Sequence, residues 1–282
     1  MQKFQCRWAP SLGELEATHQ EAWGTREYKN IIDPTVFFGL FDLRDYIALA
    51  WHMGRKYVLW AGSDLRNLEE RFIFNDGKLK FLSKMFRGNK WVIPILRKAK
   101  HYVENQDEAD KLARFGLKST IVPSFLGNIH EFPLSYKQAY RPKVYISGHP
   151  HREDEYGFNF IQGIADAVPE CIFHLYGVEW KSERKNIVCH GWVPKDRMNE
   201  EIKGMQCGLR LNDSDGFSEI TAKSILMGQY PITKLQYPMI PNFDNAAELV
   251  TLLKSLRTMN EPNHKGRDYY LQVINKYPWV NV

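Results

Sequence analysis

The chain has 282 residues, 44% hydrophobic and 25% charged, a composition that is ordinary for a globular protein and excludes a disordered chain. Its Lys and Arg residues outnumber the acids and give a formal charge of +5. No apolar stretch approaches the roughly 20 residues that span a bilayer, and 1–10 lacks the apolar core of a secretory signal. We therefore expect a cytoplasmic protein, with peripheral contact at the inner membrane surface left open.

The N-terminal half alternates short apolar runs with helical periodicity, which is typical of α/β proteins with parallel strands. The pattern predicts strands at 35–38, 56–60, 100–103 and 119–122, and helices at 44–53 and 106–115. Between them, 69–86 combines a helix with a hairpin at 75–77. Residues 128–142 lack periodicity and contain Pro133 and Pro142, so they are predicted to be a linker.

The C-terminal half shows the same alternation more clearly. It predicts strands at 143–147, 171–176, 186–190, 208–211 and 230–233, and helices at 157–168, 196–205, 219–227, 246–256 and 266–277. This order is that of a doubly wound parallel sheet, in which ligands bind beyond the carboxyl ends of the strands. We therefore predict an α/β protein of two Rossmann-like domains.

Two loops of this half are candidate ligand sites. Gly148–Gly157 lies between a predicted strand and a predicted helix, where glycine permits close backbone approach and the first helical N–H groups attract phosphate. His149 and Arg152 add donors to that loop. The segment 208–232 has a strand ending at Arg210, a loop containing Asp215 and Gly216, a helix and a second glycine at Gly228.

The segment 208–232 resembles the donor-binding signature of retaining GT-B glycosyltransferases. That signature is an acid, a glycine and an aromatic residue, then a second acid and a glycine. Asp215-Gly216-Phe217 matches its start, and Gly228 follows Asp215 by thirteen residues, as in the family. The resemblance covers about 140–256 and extends in outline to the first half. It implies two Rossmann-like domains facing a cleft, at 1–139 (acceptor) and 140–258 (donor), with 259–282 as a helix crossing back to the first domain.

The resemblance also implies roles for individual residues. Asp215 would accept hydrogen bonds from donor hydroxyls, and Arg210 would balance the charge of a departing diphosphate. Trp192 and Val193 would border the nucleotide base. The predicted catalytic residues are Asp64, Arg210 and Asp215. The predicted donor-binding residues are Gly148, His149, Tyr156, Gly157, Gly177, Trp192, Val193, Arg210, Asp215, Gly216, Phe217, Ser218, Glu219 and Lys223.

Two positions depart from the family. The second acid of the signature, which binds ribose hydroxyls, is replaced by Lys223, and lysine cannot accept hydrogen bonds. Glu219 is the nearby acid that would compensate. The His-Gly turn of the first domain is replaced by Ala61-Gly62, which leaves Asp64 as the nearest polar candidate. Asp64 is equally well explained as a helix N-cap.

The resemblance implies an enzyme that transfers a sugar from a nucleotide-sugar to a hydroxyl of a saccharide or lipid-linked saccharide. Among nucleotide-sugars, a UDP-sugar is the expected donor. Retention of configuration and independence of metal are expected, although Asp213-x-Asp215 also matches a short metal-binding pattern. Residues 55–100 carry twelve Lys and Arg against four acids, a net +8, which favours contact with an anionic surface. Two alternatives stay open: a glucosyltransferase of hydroxymethylated DNA bases, and a binding protein that has lost turnover.

Overall fold

The computed structural model describes residues 4–12, 23–70, 91–213 and 215–280. The chain divides into two compact units. The first unit contains the residues up to Leu126 together with those from Ile274 onward, and the second unit runs from Gly127 to Val273. The second unit therefore interrupts the first in sequence.

A sheet of six parallel strands forms the centre of the first unit. The strands are β1 (Gln5–Trp8), β2 (Arg26–Glu27), β3 (Thr35–Phe38), β4 (Lys56–Leu59), β5 (Lys100–Val103) and β6 (Ser119–Ile121). Their spatial order is β2-β1-β3-β4-β5-β6. Strand β3 is buried along its whole length, as expected for a parallel strand covered on both faces.

The helices of the first unit begin at side-chain caps wherever the local sequence provides one. Within the described residues they are α1 (Leu43–Trp51), α2 (Ser63–Glu70), α3 (Ile93–Leu96) and α4 (Gln106–Arg114). Asp42 forms a capping box with Asp45 at the start of α1, and Asn105 accepts the Glu108 N–H at 2.9 Å at the start of α4. Each such cap contributes about 1 kcal/mol to helix stability.

The residues after Ile274 complete an aromatic core in the first unit. Trp279 packs edge-on against Tyr102 at 4.9 Å and stacks on Tyr277 at 4.7 Å. The Tyr277 hydroxyl donates to the Val122 carbonyl at 2.7 Å. Trp279 is 2% exposed, so this short segment is part of the core of the first unit.

The second unit has a five-stranded parallel sheet of spatial order β11-β10-β7-β8-β9. Its strands are β7 (Lys143–Ser147), β8 (Ile172–Tyr176), β9 (Ile187–Gly191), β10 (Cys207–Arg210) and β11 (Ile232–Thr233). Its helices are α5 (Phe158–Ala167), α6 (Lys195–Ile202), α7 (Glu219–Leu226), α8 (Ala246–Ser255) and α9 (His264–Val273). Side chains from β7, β8, α5 and α8 share one buried core.

The predicted α/β class with two parallel-sheet domains is confirmed. Strands β3, β5 and β7 have the predicted bounds. Strands β1 and β2 were not predicted, and the helix and hairpin predicted at 69–86 lie mostly outside the described residues. Among the described helices, none is long and apolar enough to cross a membrane.

The two compact units divide the chain after Leu126 and after Val273, and the domain boundaries after 139 and 258 stay predictions. Residues 127–139 belong to the second unit, because the Ser135 and Tyr136 N–H groups both donate to the Met227 carbonyl at 3.1 Å. At the other end, the last helix stops at Val273 rather than at Tyr277. Asn275 there adopts a left-handed backbone (φ 57°), which ends helical geometry.

Candidate active site

The strand order of the second unit reverses between β7 and β10. The chain winds from β7 outward through β8 and β9, and then returns to place β10 on the other side of β7. In open parallel sheets, ligands bind outside the carboxyl ends of the two strands at such a reversal. Gly148 directly follows β7 and Arg210 ends β10, so the topology places both at the expected binding edge.

Two of the predicted glycines permit tight packing at this edge. Gly177, which follows β8, has φ 86°, and a Cβ there would lie 2.4 Å from the Gly148 carbonyl oxygen. Gly157 caps α5 with φ 76°, and a Cβ there would lie 2.5 Å from Leu211. These positions require glycine because a side chain would collide with backbone or core.

Arg210 and Asp215 form an ion pair at the end of β10. The Arg210 Nε donates to Asp215 Oδ2 at 2.7 Å, and a second guanidinium nitrogen lies 2.5 Å from the same oxygen. The Arg210 guanidinium also lies over the Tyr156 ring, 4.6 Å from its centre. The structure thus brings together three residues that the sequence placed in one site.

A second arginine, Arg152, lies over the same Tyr156 ring at 5.7 Å. It is held by Glu155, which accepts from the Arg152 Nε at 2.7 Å. From the sequence, Arg152 is a possible hydrogen-bond donor of the loop Gly148–Gly157, but it is not among the predicted site residues. Its position four residues before Tyr156, in the turns that precede α5, is the signal that would have identified it.

Burial raises the pKa of Asp215, and the adjacent Arg210 guanidinium opposes that shift. The pKa of Asp215 remains above the usual value for an aspartate. This carboxyl is therefore a poorly hydrated hydrogen-bond acceptor, and Arg210 is its strongest donor among its described contacts. Its second oxygen, Oδ1, accepts the Gly216 N–H at 3.0 Å. The Asp215 side chain is 26% exposed, so the carboxyl group lies at the edge of the site rather than in the core.

The loop after Asp215 fixes the start of helix α7. Ser218 is the N-cap and accepts the Thr221 N–H at 3.2 Å. Phe217 is 5% exposed and stacks on Tyr270 at 4.9 Å, so it packs in the core instead of facing a ligand. The Gly216 carbonyl accepts the Tyr237 hydroxyl at 2.5 Å. The start of α7 is therefore a firmly anchored turn, and helix starts of this kind attract anions through their first N–H groups.

Lys223 is buried, and Glu219 neutralises it. Its Nζ lies 2.9 Å from Glu219 Oε2, and Lys195 reaches the other carboxylate oxygen at 3.2 Å. Burial raises the pKa of Glu219, but the two lysines together outweigh burial and the net pKa is lowered. Glu219 is therefore ionised at neutral pH, and its side chain retains 37% exposure.

The remaining donor-binding candidates lie along the same edge with fewer contacts. Trp192 follows β9 and is 72% exposed, while Val193 is half-buried. Strand β9 is two strands away from β7, or about 10 Å at the usual spacing. His149 is exposed, and its Nδ1 lies 2.9 Å from the carbonyl of the adjacent Pro150.

Asp64 lies in the first unit and is fully buried at the start of α2. It accepts the N–H groups of Leu40 and Ala61 at 2.9 Å and of Leu65 at 2.8 Å. Burial raises its pKa to about 6, and these hydrogen bonds oppose the shift. Helix α2 begins at Ser63, so Asp64 lies in its first turn rather than at the N-cap position. Its hydrogen bonds join the loops that follow β3 and β4. The catalytic role predicted for Asp64 stays a prediction.

The short Asp213-x-Asp215 pattern does not present two free carboxylates. Asp215 is paired with Arg210, and Asp213 contacts Lys234. Across the described ranges, no three His, Cys, Asp or Glu side chains are grouped as metal ligands would be.

No protein-family model matches the chain, and no curated protein matches it in sequence. Solved structures do match it in fold. TarM superimposes with a TM-score of 0.55 at 14% identity, over 87% of this chain and 52% of TarM. The chain thus spans about half the length of TarM.

Two further structures match at similar levels. WaaG, a glycosyltransferase involved in lipopolysaccharide biosynthesis, has a TM-score of 0.53 at 11% identity, over 98% of this chain and 96% of WaaG. The UDP-forming α,α-trehalose-phosphate synthase of Burkholderia xenovorans, in complex with glucose-6-phosphate, has a TM-score of 0.58 at 8% identity, over 87% and 71% of the two chains. At these identities the likeness establishes the fold alone. The chain has the GT-B fold of two Rossmann-like domains.

Proposed function

We propose that the protein is a glycosyltransferase that moves a sugar from a nucleotide-sugar to a hydroxyl group. The observation that carries the proposal is the Arg210–Asp215 pair, which lies where the strand order of the second unit reverses and beside the start of α7. The Arg210 guanidinium is suited to bind a diphosphate, and the Asp215 carboxylate is suited to accept hydrogen bonds from sugar hydroxyls. The GT-B fold and the glycosyltransferase WaaG among its structural neighbours agree with this chemistry.

The diphosphate of the donor would be bound by cations and helix N–H groups. Arg210 and Arg152 both lie over Tyr156, and the N-terminus of α7 follows the same loop. Guanidinium groups pair well with phosphate oxygens, and the helix dipole adds to the attraction. Binding a diphosphate in this position requires no metal ion, so we propose metal-independent transfer.

The nucleoside would lie along the same edge, toward β9. We assign the ribose hydroxyls to Glu219, because Lys223 cannot accept hydrogen bonds and Glu219 is ionised and partly exposed. Trp192 and Val193 would border the base. We favour UDP-sugars, and the UDP-forming synthase among the structural neighbours supports that choice.

In the transfer itself, the acceptor oxygen forms a bond to the anomeric carbon while the bond from that carbon to the phosphate oxygen breaks. The electron pair leaves with the nucleoside diphosphate, where Arg210 stabilises the developing charge. The proton of the acceptor hydroxyl passes to the leaving phosphate oxygen or to water. Asp215 would hold a sugar hydroxyl. We propose retention of anomeric configuration, in line with the signature at Asp215-Gly216-Phe217.

We propose a saccharide or lipid-linked saccharide as the acceptor. The DNA alternative depends on the basic segment 55–100, and 71–90 of that segment lie outside the described residues. The alternative of a binding protein without turnover depends on Lys223 and Ala61. The structure supplies Lys223 with a partner in Glu219, so the lysine is not in itself a sign of a degenerate site.

The test is release of free nucleotide from a panel of UDP-, GDP- and ADP-sugars with EDTA present throughout. Each donor is assayed alone, with saccharide acceptors and with hydroxymethylated duplex DNA. We expect release from a UDP-sugar that rises with a saccharide acceptor. Release that rises only with the DNA would support the DNA alternative. No release from any donor, together with no thermal shift by the nucleotides, would contradict the transferase proposal.

A further inference from the structure

An exposed apolar patch lies on the first unit, and none of its residues is among those assigned above. Twelve large hydrophobic side chains are exposed among the described residues, and five of them lie within 31–53. These five define the apolar patch: Ile31, Ile32, Ile47, Trp51 and Met53. Trp51 is 75% exposed, Met53 71% and Ile32 67%. Burying side chains of this size stabilises a complex by about 25 cal/mol per Å², so leaving them in water is costly unless a partner covers them.

The five residues form one surface. Ile47 and Trp51 are four residues apart on α1 and therefore share a face of the helix. The backbone after α1 contacts the turn before β3, because the Met53 N–H donates to the Ile31 carbonyl at 2.7 Å. The next residue, Gly54, packs so closely that a Cβ would lie 2.0 Å from the Ile32 carbonyl oxygen. The helix end and the turn thus present their apolar side chains together.

Cations surround the apolar patch. Arg44 lies three residues before Ile47 and is exposed on the same face of α1. Arg55 and Lys56 follow Met53, and Lys98 precedes the neighbouring strand β5. Lys56 and Lys98 are close enough that the pKa of Lys56, lowered first by burial, is lowered further by Lys98.

The acids near this surface are engaged by other groups. Asp33 contacts Arg26 and accepts from Asn30 at 2.7 Å. Glu27 lies 3.5 Å from Lys29, and Asp45 is buried against Arg7 at 2.6 Å. The cations around the apolar patch therefore give it a net positive field.

The position in the sheet separates this surface from the ligand edge of the first unit. Ile32 precedes β3, Met53 precedes β4 and Lys98 precedes β5, so the surface lies at the amino ends of these parallel strands. Ligands of parallel sheets bind at the opposite, carboxyl ends. The apolar patch is thus better explained as a docking surface than as part of a small-molecule site.

We propose that the apolar patch and its cations dock the protein on an anionic phospholipid bilayer. Trp51, Met53 and Ile32 would enter the interface, where tryptophan is favoured, and Arg44, Arg55 and Lys98 would meet the lipid phosphates. A second copy of the chain is a poorer occupant. Standard protein interfaces use roughly 20–30 residues a side, and a two-fold dimer would bring these cations face to face. Nucleic acid is also poorer, because phosphate contacts use the cations but not the apolar groups.

The experiment is co-sedimentation with vesicles of phosphatidylcholine alone or mixed with phosphatidylglycerol, at low and high salt. We expect binding only to the mixed vesicles and less of it at high salt. The double substitution Trp51→Ser/Met53→Ser should lower the partition coefficient about tenfold or more. The double substitution Arg55→Glu/Lys98→Glu should lower the partition coefficient by about fivefold or more for each of the two cations replaced.

The matched control is Tyr140→Ser, which removes an aromatic side chain that is 83% exposed on the second unit. It should bind vesicles like the wild-type chain. Equal binding by the Trp51→Ser/Met53→Ser variant would overturn the proposal, as would absence of wild-type binding to anionic vesicles. Two further results would assign the surface to another partner and overturn the proposal. One is binding of duplex DNA without binding of vesicles, and the other is a wild-type dimer that is lost in the Trp51→Ser/Met53→Ser variant.

This inference is independent of the proposed enzymatic function. The substituted side chains are exposed, so the variants should keep the wild-type far-ultraviolet circular dichroism and Tm. Nucleotide release from a soluble donor should be the same in all of them. Failure of vesicle binding with intact turnover would refute the docking surface alone, and the reverse result would refute the transferase proposal alone.

Discussion

The two units carry similar acids at similar places and use them differently. Asp64 and Asp215 each lie where a parallel strand passes into a helix, at β4–α2 in the first unit and at β10–α7 in the second. Asp64 is 0% exposed and accepts three backbone N–H groups. Asp215 is paired with Arg210 and keeps part of its surface in water. The first arrangement stabilises two loops, whereas the second leaves charge at the edge of a site.

The partners of an acid thus decide its role. Backbone donors consume the oxygens of Asp64 and leave it no surface for a substrate. The Arg210 guanidinium has five N–H donors and uses only some of them on Asp215. We propose that the others bind phosphate.

The first prediction concerns Arg210. Replacing it in Arg210→Ala removes the cation at the departing diphosphate and leaves Asp215 without its strongest partner. We expect kcat/KM for nucleotide release to fall by about 10²–10³-fold, the range found when one donor to a developing negative charge is removed. Nucleotide release from the preferred donor is the measurement.

The control is Arg184→Ala, which breaks a similar arginine–aspartate pair (Arg184–Asp166, 2.8 Å) on the surface of the same unit. Its turnover should equal that of the wild type, because exposed ion pairs contribute little. If Arg210→Ala kept wild-type kcat/KM, the Arg210–Asp215 pair would be structural and the contrast with Asp64 would disappear.

The second prediction compares two glycines of the second unit. Gly177→Ala places a methyl group 2.4 Å from the Gly148 carbonyl at φ 86°, so it should lower the free energy of unfolding by about 2–4 kcal/mol. Gly163→Ala, in the middle of α5 with nothing within 4 Å of the added carbon, should raise it by about 0.5–1 kcal/mol. Urea titrations measure both. Equal effects of the two substitutions would show that the close approach of the loops is not required.

The third prediction concerns Asp64→Asn. The amide keeps one oxygen acceptor but presents an NH2 group to a backbone donor, so we expect a loss of about 1–3 kcal/mol in the free energy of unfolding. The pKa of Asp64 is raised in the folded state from 3.8 to about 6. Its stabilising contribution is therefore complete below the unfolded value and is lost as pH rises through about 6.

The measurement is the free energy of unfolding from pH 7 to pH 5 in both proteins. The wild type should gain about 1 kcal/mol of stability over this window relative to Asp64→Asn. Turnover per folded molecule should be unchanged. A variant with wild-type stability and no turnover would instead support the catalytic role predicted from the sequence.

The smallest effect is expected for Lys223→Met. This change removes one of the two lysines that lower the pKa of Glu219, so that pKa should rise. If the nucleotide-sugar binds to ionised Glu219, its binding should weaken as pH falls, and in Lys223→Met this loss should begin at a higher pH than in the wild type. The measurement is KM for the nucleotide-sugar as a function of pH. Lys203→Met, which breaks the surface pair with Glu200 at 2.5 Å, is the control and should leave the profile unchanged. An unchanged profile in Lys223→Met would argue against Glu219 as a ligand.

The sequence predicted the parts of the fold that depend on local patterns. Strand β7 and the start of α7 follow from an apolar run and from the serine cap at Ser218, and both lie where they were expected. Strand β1 was missed because Gln5–Trp8 is short and contains polar residues, and only its parallel pairing with β3 identifies it.

The candidate site was predictable in part for the same reason. Arg210 and Asp215 are five residues apart, so their pairing is nearly local. The neutralisation of Lys223 by Glu219 spans one helical turn and was open to inference from the i,i+4 spacing. The burial of Asp64 depends on Leu40, 24 residues away, and no local pattern specifies that contact.

Trp279 has a consequence for how the protein is made. It completes the aromatic core of the first unit, although it is translated after the whole of the second unit. Domains usually fold in the order in which they leave the ribosome. Here the second unit is complete while the first still lacks part of its core. The first unit therefore cannot complete the packing of Tyr57 and Tyr102 against Trp279 until residue 279 has left the ribosome.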